Sequence, residues 1–158
     1  MSFLSCSLIT FLIAAMPVVE LRGAIPYGVA HGLPHLFAAA LAVAGNLLPA
    51  PFIIIFARRV LAWMKRKSPR LRGIAEMFER KAEKNKKALN RGITIGLMLF
   101  VALPLPGTGA WTGSLIAAVF DIRLRSALPA VAAGVALAAA LVTGLAYGFG
   151  SLAGSIPG

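Results

Sequence analysis

Apolar and charged positions fall along this chain in blocks. Residues 1–19, 23–57, 92–120 and 126–158 contain no Lys, Arg, Asp or Glu. The last three of these stretches each exceed the roughly 20 apolar residues that a membrane-spanning helix needs. Within the blocks one succession occurs twice. A short apolar run, Phe3–Ala15 or Ile93–Val101, leads into a Pro/Gly-rich polar interruption, more apolar residues and a long Ala-rich span. The interruptions read "AMPVVELRGAIPYG" and "ALPLPGTGAWTG". Pro17 and Pro104 lie 87 positions apart, and Gly45 and Gly134 lie 89 apart. A near-constant offset predicts one unit used twice, repeat 1 over about 3–62 and repeat 2 over about 91–150, within a single membrane domain.

The opening runs are too short to cross a bilayer easily at about 1.5 Å per residue. Pro removes a backbone donor and Gly permits otherwise forbidden angles, so both runs stop there. Lipid does not tolerate exposed irregular backbone, and such a break must be buried in protein or face a water-filled cavity. Two re-entrant helical hairpins, each followed by a long transmembrane helix, meet that demand. The competing arrangement is four simple crossings. In the long spans, "AAALAVAGN" and "AVAAGVALAAALVTGLAYG" are rich in small residues, with Gly144 and Gly148 in GxxxG spacing. Such faces serve internal packing or a homodimer equally well. Asn46, Pro49 and Pro51 are expected to kink the first long span.

Charge then orients the chain. The net charge is +11, and thirteen of the sixteen Lys and Arg lie between Arg58 and Arg91 against Glu76, Glu79 and Glu83. Flanked by apolar spans, this block reads as cytoplasmic over residues 64–91 under the positive-inside rule. Without aromatic or Gly-rich RNA-binding signatures it does not point to nucleic acid. Ile74, Met77, Phe78, Ala82 and Leu89 share one helical face, with Arg80, Lys81, Lys84, Lys86 and Lys87 over the rest. That pattern predicts a basic amphipathic linker helix over about 64–90 on anionic lipid head groups; a solvated loop that only sets orientation is the simpler alternative. Arg123 and Arg125 fall on the same side, which predicts N-out and C-out ends with hairpins entering from opposite faces. The first basic residue is Arg22, so the positive n-region of a signal peptide is missing and residues 1–16 are expected in the mature fold. Composition agrees with a membrane protein: 59% hydrophobic, 13% charged and a mean hydropathy of +0.84.

Few residues offer chemistry. Glu20 is the only acid before Arg58 and sits at a Pro/Gly break. An ionisable group at membrane depth marks a substrate, ion or proton path. Burial favours its neutral form and a nearby cation such as Arg22 the charged form; the plainer reading is an ion pair at the membrane surface. Around Glu20 the first break supplies Arg22, Gly23 and Pro26. The second break is uncharged, and its Pro104, Pro106, Gly107, Thr108, Gly109, Trp111 and Thr112 offer hydroxyls, an indole N–H and freed backbone groups able to hold an anion. The same glycines would also suit a close-packing turn. It is not a P-loop, because the phosphate-reaching lysine is absent. His31 and His35 are four apart, on one face if helical, and make at best a weak metal site. Cys6 is the only cysteine, which leaves no intramolecular disulfide. No nucleophile has a paired base, so neither an enzyme nor a cofactor is expected. Asp121, beside Arg123 and Arg125, suits a cytoplasmic surface role.

The early "ELRGAIPYG", the basic middle and the late "PLPGTGAWTG" together resemble the small multidrug export protein family over nearly the whole chain. That family is similar, at a distance, to the DedA/VTT membrane proteins. The resemblance implies paired re-entrant hairpins in a prokaryotic plasma membrane and a role in transport or lipid flipping. By position Glu20 matches the acid of the first hairpin, and Pro106-Gly107 the turn of the second. Thr108 and Gly109 stand where DedA-type hairpins carry arginines. The expected function is a transporter or flippase for an amphiphilic or lipid-phosphate substrate, proton-coupled through Glu20. Export of small hydrophobic cations and a non-transporting scaffold are the alternatives.

Overall fold

The computed structural model describes residues 2–67, 72–73, 86–105 and 107–153. Among them the regular structure is helical throughout, without strands. In chain order the helices are α1 (Phe3–Ala15), α2 (Glu20–Ala30), α3 (His35–Leu47), α4 (Ala50–Lys67), α5 (Lys86–Ala102), α6 (Ala110–Val119) and α7 (Leu124–Ala153). Two stretches are long and apolar enough to cross a membrane, His35–Trp63 and Leu124–Leu145. The first is α3 and α4 in near-continuation, bent at Leu48 and Pro49. The second runs unbroken through Pro129.

Local chemistry sets the helix ends. Ser2 caps α1, its hydroxyl accepting the Ser5 N–H at 3.3 Å, and Pro17 lies just beyond its last turn. The ends of α2 and α6 share one hydrogen-bond pattern. Gly32 N–H donates to Val29 O at 3.0 Å and Leu33 N–H to Gly28 O at 2.9 Å. Eighty-nine residues on, Asp121 N–H donates to Ala118 O at 3.2 Å and Ile122 N–H to Ala117 O at 3.0 Å. Both are Schellman turns, which need one left-handed residue. Gly32 takes it at φ 90° and Asp121 at φ 49°. The turn also corrects the histidine expectation: His31 caps α2 and His35 opens α3, so the reversal at Gly32 keeps them off a common helix.

Close packing repeats as well. α1 lies on α2 and α3, and α5 on α6 and α7. A methyl group at Gly45 would strike the Phe11 carbonyl of α1 and come within 3.0 Å of Ala14 Cβ. One at Gly134 would lie 2.6 Å from the Met98 carbonyl of α5 and 2.7 Å from Val101 Cβ. Small residues let helices approach where lipid removes any hydrophobic drive between them. The two groups of helices interlock: α4 packs on α6, while α2 and α3 pack on α7. Ala24, Ile25, Ala42, Ile54, Val131 and Val135 are buried there. Large side chains such as Val18, Leu36, Phe52 and Phe56 point outward, as lipid contact requires.

α5 begins at Lys86, so Lys86 and Lys87 belong to the helix that continues into the apolar run rather than to a separate linker helix ending near residue 90. At its other end, residues 64–67 are the last turn of α4, residues 72–73 are helical, and Arg80, Lys81 and Lys84 lie outside the described residues, as does Pro106. Arg58 of α4, about a third exposed, donates from its guanidinium to the Ile122 carbonyl, and its Nε lies 3.7 Å from Asp121 Oδ1.

Gly134→Ala is expected to lower stability by about 1–3 kcal/mol. Nothing lies within 4 Å of a methyl at Gly144, so Gly144→Ala should be neutral or gain up to about 1 kcal/mol from helix propensity. Thermal unfolding of the two purified variants in detergent compares them directly.

Candidate functional site

The two Pro/Gly breaks meet. The first leaves α1 at Met16 and enters α2 at Glu20; the second leaves α5 at Leu103 and enters α6 after Gly109. α6 has Gly109 as its N-cap and no capping side chain of its own. One of its free amides is met from the other break. The Trp111 N–H, second in the helix, donates to Glu20 Oε1 at 3.4 Å. A carboxylate there satisfies an orphan donor and faces the positive end of the helix dipole. Glu20, 5% exposed, is thus the cap of a helix 91 positions away in sequence.

Two features bring it there. Glu20 adopts φ 51°, the left-handed region that a non-Gly residue enters at a cost of about 1 kcal/mol or more. Gly109 supplies the room, because any Cβ at that position would overlap the Glu20 carboxylate. Its φ is −88°, so closeness and not backbone angle demands the glycine.

Arg22 makes the second link. Its Nη2 donates to Leu103 O at 3.2 Å and to Thr108 Oγ1 at 3.0 Å. The Thr108 hydroxyl lies 2.6 Å from Leu103 O and 2.8 Å from Leu105 O, and donates within the break. The guanidinium therefore joins the Leu105 N–H, which donates to Leu103 O at 2.9 Å, and the Thr108 hydroxyl around one carbonyl at the end of the broken helix. Trp111 closes the joint, its indole Nε1–H donating to Ala15 O at 3.2 Å at the end of α1.

Of the residues singled out from sequence, Glu20, Arg22, Thr108, Gly109 and Trp111 converge in this joint. Gly23 instead lies against the Val19 side chain. Pro26 sits inside α2. Gly107 is exposed at φ 87° and shapes the turn without touching the joint. Pro104 and Thr112 are half-buried. Sequence reasoning did not single out the backbone acceptors Ala15 O, Leu103 O and Leu105 O, because a carbonyl has no residue-type signature. It also passed over Ser114, fully buried on α6 one turn beyond Trp111. Among the described residues no group of three or more His, Cys, Asp or Glu is placed to hold a metal ion.

A carboxylate and a guanidinium, each bound to the opposite break, form an overall neutral junction that either charge can leave. Release of Glu20 exposes a carboxylate and the amides of α6; release of Arg22 exposes a cation.

A family model described as "Putative small multi-drug export protein" matches residues 20–141, from the joint's carboxylate to the middle of α7. No curated protein and no solved structure matches the chain.

Gly109→Ala should push Glu20 off the α6 amides and cost about 1–3 kcal/mol of stability. In a Trp63→Phe background Trp111 is the sole tryptophan. Its emission is expected to shift to the red and become more open to acrylamide quenching in Gly109→Ala than in the parent.

Proposed function

This chain belongs to the small multi-drug export protein family, and from that premise we propose that it carries an amphiphilic substrate across the bilayer through the joint between the two breaks. The observation that carries the reading is the burial of Glu20 and its contact with α6, with Arg22 bound to the same break. Ionisable groups are kept at membrane depth chiefly where they serve transport, and these two hold together the elements whose separation would open a path. Glu20 is the switch: protonated, it gives up its charge-assisted bond to α6 and frees the helix terminus. A lipid phosphate then takes the carboxylate's place on the α6 amides, with Arg22 as counter-charge.

The architecture proposed for this cycle is an inverted repeat of two re-entrant hairpins, each with a long transmembrane helix, in a multi-pass protein of a prokaryotic plasma membrane. The matched turns at Gly32 and Asp121 and the matched contacts of Gly45 and Gly134 support it. The contact of Arg58 with Ile122 and Asp121 supports the orientation. It puts the end of the first long span beside the turn that carries Arg123 and Arg125, and the positive-inside rule assigns both to the cytoplasm. A cysteine in place of Asp121, in a Cys6→Ala background, should therefore react with an impermeant maleimide in inside-out vesicles and not in intact cells.

A second reading, export of small hydrophobic cations, is favoured by the family's description and by Glu20 as the one acid buried in the joint. Purified protein in liposomes separates the two readings. Wild type is expected to flip a labelled polyprenyl-phosphate or phospholipid, and Glu20→Gln to lose at least about tenfold of that rate. Absence of flipping in folded wild type, with uptake of a lipophilic cation that Glu20→Gln loses, would assign the cation reading instead. If neither substrate moves, both transport readings fail, and the scaffold alternative is the one carried to test.

A further inference from the structure

α6 is tied to the first group of helices at both of its ends. It is ten residues long, about 15 Å from end to end, and has no charged residue of its own. Glu20 meets its amide end through the Trp111 N–H. In the turn that closes its carbonyl end, the guanidinium of Arg58 on α4 donates to Ile122 O and lies beside Asp121. An acid at the amide end and a base at the carbonyl end both complement the helix dipole. For α6 both come from the other group. The matching end of α2 differs: Gly32 stands 89 positions before Asp121, and Tyr147 stands 89 positions after Arg58. Of the two matched turns, the charged tie is thus a property of the second.

Between its ends α6 has little to hold it along its axis. Its buried face is Ala110, Gly113, Ser114, Ala117 and Ala118, while Leu115, Val119 and Phe120 are exposed. Val101 of α5 rests at Gly113 and sets how closely that helix approaches. Packed helices resist sliding through side-chain ridges of one seated in the grooves of the other. A face of small residues offers low ridges, and shear motions are small slides of one packed helix on another. The ends then decide where α6 stands.

We propose that Arg58 is a positioning residue for the joint: through the Ile122 carbonyl it fixes α6 along its axis, so that the amide end meets Glu20. The contact with Asp121 contributes less, because Arg58 Nε makes no hydrogen bond and Asp121 is largely exposed. The inference also names α6 as the element that moves when Glu20 lets go, and for that part it rests on the transport reading. Positioning itself is read without a substrate, so its failure and the failure of transport are separate results.

The test reads Trp111 emission and acrylamide quenching in purified full-length protein carrying Trp63→Phe, with thermal unfolding of each variant to show that it is folded. Arg58→Met keeps the aliphatic length and removes the donors. It should shift Trp111 emission to the red and raise its quenching toward the Gly109→Ala value. Combined with Gly109→Ala it should add little further, whereas distant sites without a shared role give additive effects. Arg58→Lys, which keeps a charged donor, should restore most of the parent signal, and Asp121→Asn should stay near it. Should methionine prevent folding, Arg58→Gln takes its place, with the same direction and a smaller shift. A parent-like Trp111 signal in the folded Arg58 variant, or a shift that simply adds to that of Gly109→Ala, would overturn the positioning role and leave an interfacial ion pair only.

Discussion

Everything in this structure depends on one demand: backbone broken among packed apolar helices has to find its hydrogen bonds within the protein. The chain breaks a short helix twice, and each break leaves donors and acceptors that its own residues do not satisfy. α6 starts at a glycine with no capping side chain, and the carbonyl of Leu103, just past α5, accepts from the second break and from Arg22 of the first. Glu20 and Arg22 meet those needs from the other break, and Trp111 answers with a bond to the end of α1. Neither break is complete alone. The interlocking of α4 with α6 and of α2 with α7 follows, since these contacts hold the two breaks face to face.

The correspondence between the two groups of helices has a fixed register with one slip. Contacts made by Phe11 and Ala14 recur at Met98 and Val101, 87 residues on, whereas the turn at Gly32 and the close approach at Gly45 recur after 89. The two additional residues therefore fall in the second break. There they form the turn through Gly107 and Thr108 that brings a hydroxyl to Arg22. Glu20 and Gly109 are themselves 89 apart and touch. At that same offset of 89 a large charged residue thus meets the smallest one. Two carboxylates there would repel, and two glycines would leave α6 uncapped.

Much of this was legible in the sequence because membrane insertion writes a coarse signal. Charge-free blocks marked the long spans, Pro and Gly marked the breaks, and the lone acid among apolar residues marked Glu20. The meeting of Glu20 with Gly109 was not legible, since it depends on how two separate breaks face each other. Arg58 with Asp121 escaped for the same reason. Local charge pairs Asp121 with Arg123 and Arg125, but the Schellman turn swings it toward α4. The start of α5 was set too late because Lys86 and Lys87 read as linker, although lysine is a good helix former and the helix runs through them. At 46–51 the kink was legible from Pro49 and Pro51, but the burial of the Asn46 amide without a hydrogen-bond partner required the surrounding packing.

Positive-φ residues show where the fold accepts strain for position. Glu20 and Asp121 are the two non-glycine residues with positive φ among those described. Each sits at the point where one group of helices contacts the other, Glu20 on α6 and Asp121 beside Arg58. A glycine would relieve either backbone, as Gly32 does in the matching turn, but it would remove the carboxylate that makes the contact. At Glu20 the strain, on the order of 1–3 kcal/mol, is comparable with the charge-assisted bond it positions; at Asp121, exposed and 3.7 Å from Arg58 Nε, the ion pair returns at most about 1 kcal/mol. These contacts are therefore close to balance, held by carboxylates and easily lost with them. A purely structural seam would gain from glycine at the turn and apolar contact across it, as the α5–α7 seam at Gly134 and Val101 does. Contacts near balance lie at the joint and at the end of the first long span, whereas the seams within each group rest on close backbone approach at Gly45 and Gly134.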